Sequence, residues 1–302
     1  MGIKQDPLSI DCKTVREKIT GFIRRYVIEL NREGAVLGLS GGLDSCVILK
    51  LCVEALGAEN VRAVIIPERD SDRRHIKDAK NFAASLSVIY TVRDISPILW
   101  WLGVYRLYPP ACLFSKKVQS SFVKKKRKLM AQELEKDIFL ANLENERHPG
   151  LNRSKAFYRI KHRLRSAVLF YYSELFNLLL VGTSNKSEIL TGFFVKYGDN
   201  IADIMPLSSL YKSQVKVLAG YLGINSSIIN KPPSPDLIPG VVDEEMLGLT
   251  YEKLDNILYC IEHNRDDNSI MGRTGATEGE IERVKTLIAS SEYMRAWPIN
   301  LA

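Results

Sequence analysis

Short apolar runs, bounded by glycine or polar loops and separated by stretches with helical spacing, recur along this chain. AVLGLS (35–40) is too short and too apolar for anything but a buried strand. VRAVIIP (61–67), SVIYTVRDI (87–95) and LLLVGT (178–183) repeat the pattern, and DIMPL (203–207) is a candidate fifth run. Between them the spacing predicts helices over 13–31, 45–56, 76–86, 163–176 and 212–222. In the first of these, Val15, Ile19, Phe22, Ile23, Tyr26, Val27 and Leu30 share one face. A strand apolar on both sides must be covered on both sides, which a parallel sheet between helices achieves. The predicted fold is α/β: a doubly wound parallel sheet of about five strands, with helices on both faces.

One segment, from about 104 to 155, breaks the alternation. It reads as an inserted, mainly helical arm within a single domain spanning 1–302. The chain carries 42 basic and 35 acidic residues, a net charge of +7. This arm alone holds 12 basic and 5 acidic residues, so the rest of the chain is neutral. A uniformly basic nucleic-acid-binding surface is therefore excluded, and nucleic acid is not an expected partner. Met130, Leu134, Ile138 and Ala141 are spaced to line one face of a helix. The five consecutive cations Lys124 to Lys128 repel one another unless something offsets them. With no motif inside it, the arm is expected to be peripheral to any catalysis.

The five cysteines form no CxxC pair and the four histidines are scattered, so a zinc cluster is not expected. At 46% hydrophobic residues the chain has material for a core without metal or disulfide staples. No apolar run reaches the ~18 residues of a membrane helix. The start, MGIKQDPLSIDCK, lacks the apolar stretch of a signal peptide. A cytoplasmic protein with no membrane partner is expected.

Ser40-Gly41-Gly42-Leu43-Asp44-Ser45 falls between a strand and a helix. Its glycines allow a tight turn and close approach of a ligand, and its serines and helix-start N–H groups suit an anion. It is neither a GxxxxGK[ST] loop nor a GxGxxG turn. Ligands of doubly wound sheets sit beyond the carboxyl ends of the strands. SGGLDS, PERDS and GTSNKSE all fall there and should converge. A carboxylate beside a bound anion, as Asp44 would be, requires a cation between them, and Mg²⁺ takes such hard oxygen ligands. Glu188, in Gly182-Thr183-Ser184-Asn185-Lys186-Ser187-Glu188, is the natural second ligand.

The SGGxDS loop resembles the pyrophosphate-binding loop of the ATP pyrophosphatases, which split ATP between its α and β phosphates. SGGLDS, GTSNKSE, FVKYGD, ADIMPLSSLYKSQV, KPPSPDL and the D-E-E-x-L-G of 243–248 follow one another in order. Their spacing is similar to that of the NAD synthetase family, over most of the chain outside the arm. The resemblance implies a doubly wound α/β homodimer that amidates nicotinic acid adenine dinucleotide (deamido-NAD). ATP and Mg²⁺ adenylate the carboxylate, pyrophosphate leaves, and ammonia then displaces AMP. It implies an ATP site of Ser40, Gly41, Gly42, Leu43, Asp44, Ser45, Thr183, Lys212 and Ser234. Asp44 and Glu188 correspond to the Mg²⁺ ligands, and with Lys212 form the implied catalytic set. Arg163, Lys196, Asp199, Asp203 and Tyr293 correspond to positions at the deamido-NAD site.

Some positions depart from the family pattern. Tyr158-Arg159 stands where Gly-Asn is common, and Tyr293-Met294 where a His-Lys pair is. No segment corresponds to the nitrilase-like glutaminase domain, so ammonia is expected free or from a separate glutaminase. Two alternatives stay open. One is a paralogue that amidates another carboxylate through an acyl-adenylate. The other is an RNA-modifying ATP pyrophosphatase docking through the basic arm.

Overall fold

In the computed structural model, the structure describes residues 7–108, 116–232, 242–296 and 298. Among them the strands are β1 (Gly34–Gly38), β2 (Val61–Ile65), β3 (Ile89–Val92) and β4 (Leu178–Leu180). All pair in parallel, in the order β3-β2-β1-β4. The expected fifth strand, 203–207, is reduced to a single bridge between Val181 and Ile204. Pro206 has no N–H to extend the ladder, and Asp203 spends its carboxylate on the N–H of Leu180 at 2.8 Å.

The helices before the arm are α1 (Cys12–Glu29), α2 (Leu43–Leu56), α3 (Arg73–Ser85) and α4 (Ser96–Trp101). The arm and the segment after it give α5 (Lys116–Leu134), α6 (Ile138–Leu143), α7 (Pro149–Leu175), α8 (Lys186–Thr191) and α9 (Lys212–Tyr221). The C-terminal part holds α10 (Ser226–Ile229), α11 (Asp243–Leu247), α12 (Tyr251–Glu262), α13 (Asp267–Thr274), α14 (Glu278–Ser290) and α15 (Glu292–Arg295).

Strand side chains alternate between two cores, because successive Cβ atoms leave opposite faces. Ala35, Leu37, Ala63, Ile65 and Leu179 pack with α1, α2, α3 and α9. Val36, Val64, Leu178 and Leu180 pack on the other face with α4 and α7. The sheet is thus doubly wound. A third core joins α11, α12, α13 and α14, with Phe139 and Leu143 of α6 inserted.

The arm differs in detail from its sequence reading. Met130, Ile138, Ala141 and Leu151 do share an apolar cluster, edged by Leu134. They come from a broken path, however: Glu135 adopts φ +50°, and Asp137 accepts from the N–H groups of Phe139 and Leu140 to start α6. The helix expected over 163–176 begins far earlier, at Pro149, so its first turns belong to the arm. Proline at its first position fits, since that N–H needs no helical partner. Among the described residues, Cys46, Cys52 and Cys260 are buried free thiols. No helix among them is long and apolar enough to cross a membrane.

Candidate functional site

Going along the chain, β1, β2 and β3 are laid down in one direction and β4 returns to the far side of β1. The reversal leaves a crevice beyond the carboxyl ends of β1 and β4, where doubly wound sheets bind ligands. A cavity of about 1710 Å³ lies there. Its lining takes Ser40, Gly42 and Asp44 after β1, Pro67 and Asp70 after β2, and Thr183 and Glu188 after β4. The three strand-end loops therefore converge as expected.

The first loop is held by its own serines. Ser45 Oγ donates to the carbonyl of Gly42 at 3.0 Å and lies 3.0 Å from Ser40 Oγ. Ser40 Oγ accepts from the N–H of Gly42 at 3.1 Å. Gly41 turns with φ +77°, and a Cβ there would sit 2.5 Å from the carbonyl oxygen of His75. Only glycine fits both the torsion and the space. Lys231 braces the turn from outside, donating to the Gly41 carbonyl at 3.1 Å and to Asp78 at 2.5 Å. Gly42 then caps α2, whose first turn carries Asp44.

Asp44 and Glu188, from loops on either side of the switch point, converge on one ammonium. Lys212 at the start of α9 contacts Asp44 Oδ2 and donates to Glu188 Oε1 at 3.2 Å. Asp243 of α11 is a third acid nearby, with Oδ2 accepting from Tyr251 at 3.1 Å. Its Oδ1 is buried without a partner among the described residues. Burial, Asp44 and Asp243 push Glu188 up to about 8, against the pull of Lys212. Burial likewise pushes Asp243 up to about 6. Burial acts to lower Lys212, but the surrounding carboxylates outweigh it and raise it. The site therefore holds more acid than one lysine compensates, and one acid oxygen has no partner among the described residues.

This donor set fits a divalent cation. Hard ions take one or two carboxylates together with phosphate oxygens and water, and two carboxylates here already converge on one positive charge. Among the described residues no group of three or more acids, histidines and cysteines forms a cage of its own. That is the ordinary situation for magnesium held partly by substrate.

Several further residues position this set. Asn185, fully buried, accepts from Glu188 N at 3.0 Å and donates to Asp44 Oδ1 at 3.1 Å. Its spacing three residues before Glu188 is a capping-box pattern, a signal legible in GTSNKSE. Asp255, also fully buried, accepts from Ser187 Oγ at 2.5 Å and Ser213 N at 2.8 Å. Ser187 Oγ in turn accepts from Lys212 N at 2.9 Å. Lys161 of α7 is fully buried and donates to Glu68 at 2.9 Å and Asp70 at 3.3 Å, pinning the loop after β2. No local pattern betrays Lys161 or Asp255, because their partners lie far away in sequence.

The acceptor residues named from the motifs divide. Asp199 lines the cavity, with Oδ1 accepting from Val195 N at 2.7 Å and Oδ2 3.4 Å from His162. Arg163, Lys196 and Tyr293 form a separate chain off its wall. Arg163 donates to the Lys196 carbonyl at 3.3 Å, and Lys196 Nζ donates to the Tyr293 carbonyl at 2.6 Å. Asp203 supports the backbone of β4. Ser234 lies outside the described residues. The arm is not remote: Lys126, Arg127, Tyr108 and Lys155 line the same cavity.

A doubly wound sheet with a serine–glycine loop and an acid–lysine cluster at its switch point defines an α/β nucleotide-binding protein. The family model for NAD synthase matches residues 15–107 and 114–298. The chain is 42% identical over 287 residues to the NH(3)-dependent NAD(+) synthetase of Thermotoga maritima, covering 95% of this chain and 99% of that one. It is 36% identical over 281 residues to the enzyme of the same name from Methanocaldococcus jannaschii, covering 93% of each. The chain belongs to the NAD synthase family. Its fold is similar to that of the NH3-dependent NAD synthetase from Campylobacter jejuni, with a TM-score of 0.67, 26% identity and coverage of 97% and 100%. The NMN synthetase from Francisella tularensis shares the fold at a TM-score of 0.71 and 23% identity, over 97% and 99% of the chains.

Proposed function

We propose that this chain is an ATP-dependent ligase that amidates deamido-NAD to NAD with ammonia. The observation that carries the reading is the meeting of Asp44 and Glu188 on Lys212, beside the Ser40–Ser45 loop. It occurs in a chain with near full-length identity to ammonia-dependent relatives. A carboxylate is a poor acyl donor because oxide is a poor leaving group. Attack of a nicotinate oxygen on the α phosphorus of ATP breaks the bond to the β phosphate, and pyrophosphate departs. Ammonia then adds to the carbonyl carbon, loses a proton, and AMP leaves with the carboxylate oxygen.

The protein's work in this scheme is placement and charge. Ser40, Gly41, Gly42, Leu43 and Ser45, with Thr183, line up the triphosphate. Asp44 and Glu188 are the residues to hold Mg²⁺, and the Asp243 oxygen that lacks a partner among the described residues supports an ion there. Magnesium, when bound, neutralises phosphate charge and favours departure of pyrophosphate. Lys212, which reaches both carboxylates, is placed to contribute its positive charge to the phosphates as well. Asp199 lies on the acceptor side of the cavity.

A cytoplasmic location suits these substrates. A homodimer is our reading of the large apolar side chains left in water on α4, where Trp100 and Trp101 are 71% and 79% exposed. The purified chain is to be incubated with ATP, Mg²⁺, deamido-NAD and ammonium, following AMP, pyrophosphate and NAD. All three products are expected, and none when glutamine replaces ammonium. Pyrophosphate release with other carboxylates but not deamido-NAD would overturn the acceptor assignment.

A further inference from the structure

Two helices each turn one basic face into the cavity. On α7, Lys155 and Arg159 stand one turn apart and both line it. On α5, the neighbours Lys126 and Arg127 also line it. Among the described residues, none of these four cations makes an ion pair. Lys126 lies over the ring of Tyr108 at 4.5 Å. Arg159 donates to the carbonyl of Asn142, a neutral partner, at 3.3 Å. Arg127 is pushed down by burial, against the weaker pull of Asp137, Tyr158 and Glu245. Arg159 is lowered by burial and by Arg163, against Tyr293, and Lys155 by burial and by Arg159. Like charges a turn apart repel, and buried cations whose desolvation is not offset by a paired carboxylate among the described residues destabilise the fold. An anion between the two helices would offset both effects.

The proposed reaction brings two polyanions into this cavity. The triphosphate has its own loop, with two serine hydroxyls and the start of α2. The acceptor dinucleotide brings a second pyrophosphate, and guanidinium forks suit phosphate oxygens. We propose that Lys126, Arg127, Lys155 and Arg159 form an anion subsite that binds the pyrophosphate of the acceptor dinucleotide. The inference rests on the proposed function, and it makes the arm part of the acceptor site rather than an accessory. Two elements distant in sequence thus supply the cations of one subsite.

Direct binding and turnover test it separately. ADP-ribose carries the same adenosine pyrophosphate without the nicotinate carboxylate. Its binding is to be measured calorimetrically with the ATP site saturated by α,β-methylene ATP. Arg127→Gln and Arg159→Gln are each expected to weaken ADP-ribose, and to raise the KM for deamido-NAD, by about tenfold or more. The KM for ATP should stay within about twofold, and Arg159→Lys should recover part of the loss. Lys125→Gln and Lys128→Gln, exposed on the same helix, should change nothing. Unchanged ADP-ribose binding in both arginine variants, or a parallel rise in the KM for ATP, would overturn the subsite. A wild-type chain that binds ADP-ribose through these arginines but makes no NAD from deamido-NAD would sink the proposed reaction and leave the subsite standing.

Discussion

The side-chain amide of Asn185 donates to Asp44 Oδ1 at 3.1 Å, tying the loop after β4 to the loop after β1 across the switch point. The same side chain accepts from the N–H of Glu188 at 3.0 Å. One buried residue thus fixes the spacing of the two carboxylates that meet on Lys212. Asn185→Ala removes a helix cap and a partner of Asp44 together. Urea unfolding should show a loss of about 1–2 kcal/mol. AMP formation should fall by about tenfold or more, since the two carboxylates lose their fixed separation. Normal turnover with lowered stability would show that the cap matters and the tie does not.

Gly41→Ala adds a methyl group 2.5 Å from the carbonyl oxygen of His75, at φ +77°. The turn must open or α3 must retreat. With circular dichroism unchanged, AMP release is expected to drop by about 10²-fold, the scale of a one-ångström misplacement. A variant with wild-type KM for ATP would show that the turn does not position the phosphates.

Lys161 and Glu68 form an ion pair at 2.9 Å with both side chains wholly buried. Breaking one side leaves an uncompensated charge. Lys161→Met should cost about 3–5 kcal/mol in denaturant unfolding. Adding Glu68→Gln to it should recover part of that loss, because the stranded carboxylate is gone. A double variant as unstable as the sum of both single changes would contradict this account.

Burial holds His162 below its ordinary value of 6.5, helped by Arg165 and Lys161 and opposed by Asp199. The unfolded chain therefore takes up this proton first as pH falls. Stability is lost on going below about pH 6.5, because the unfolded state is favoured there. His162→Gln should show a flatter Tm between pH 7 and pH 5 than the wild type. Glu188 and Asp243, raised by burial, act in the opposite sense but are common to both proteins, so the difference isolates His162. Parallel Tm curves would refute the assignment.

Mutual distances were out of reach for pattern reading. Asp44 and Glu188 were legible because each sits in a polar loop directly after an apolar strand. Asp243 was visible only as part of an acidic run, and nothing local marks it as the third acid facing Lys212. Arg163, Lys196 and Tyr293 were read together from motif order. They do lie together, but off the cavity wall, because α7 turns Arg159 and His162 inward and Arg163 outward. The fifth strand failed because Asp203 and Pro206 are poor ladder partners, although the apolar content was right.

Apolar run length and helical spacing determined the class of fold, since a strand apolar on both faces can only be satisfied between two helical layers. The glycines and serines of SGGLDS likewise determined a tight, hydroxyl-lined turn, because backbone torsion and hydroxyl chemistry are local properties. The fate of the arm was decided in three dimensions. Its charge could be counted along the chain, but whether Lys126, Arg127, Lys155 and Arg159 face water or the cavity depends on how α5 and α6 pack against α7. That packing rests on Met130, Ile138, Ala141 and Leu151 meeting in one small apolar cluster. Local sequence sets torsions and periodicity, whereas the direction in which a charged face points is set by contacts between residues far apart in the chain.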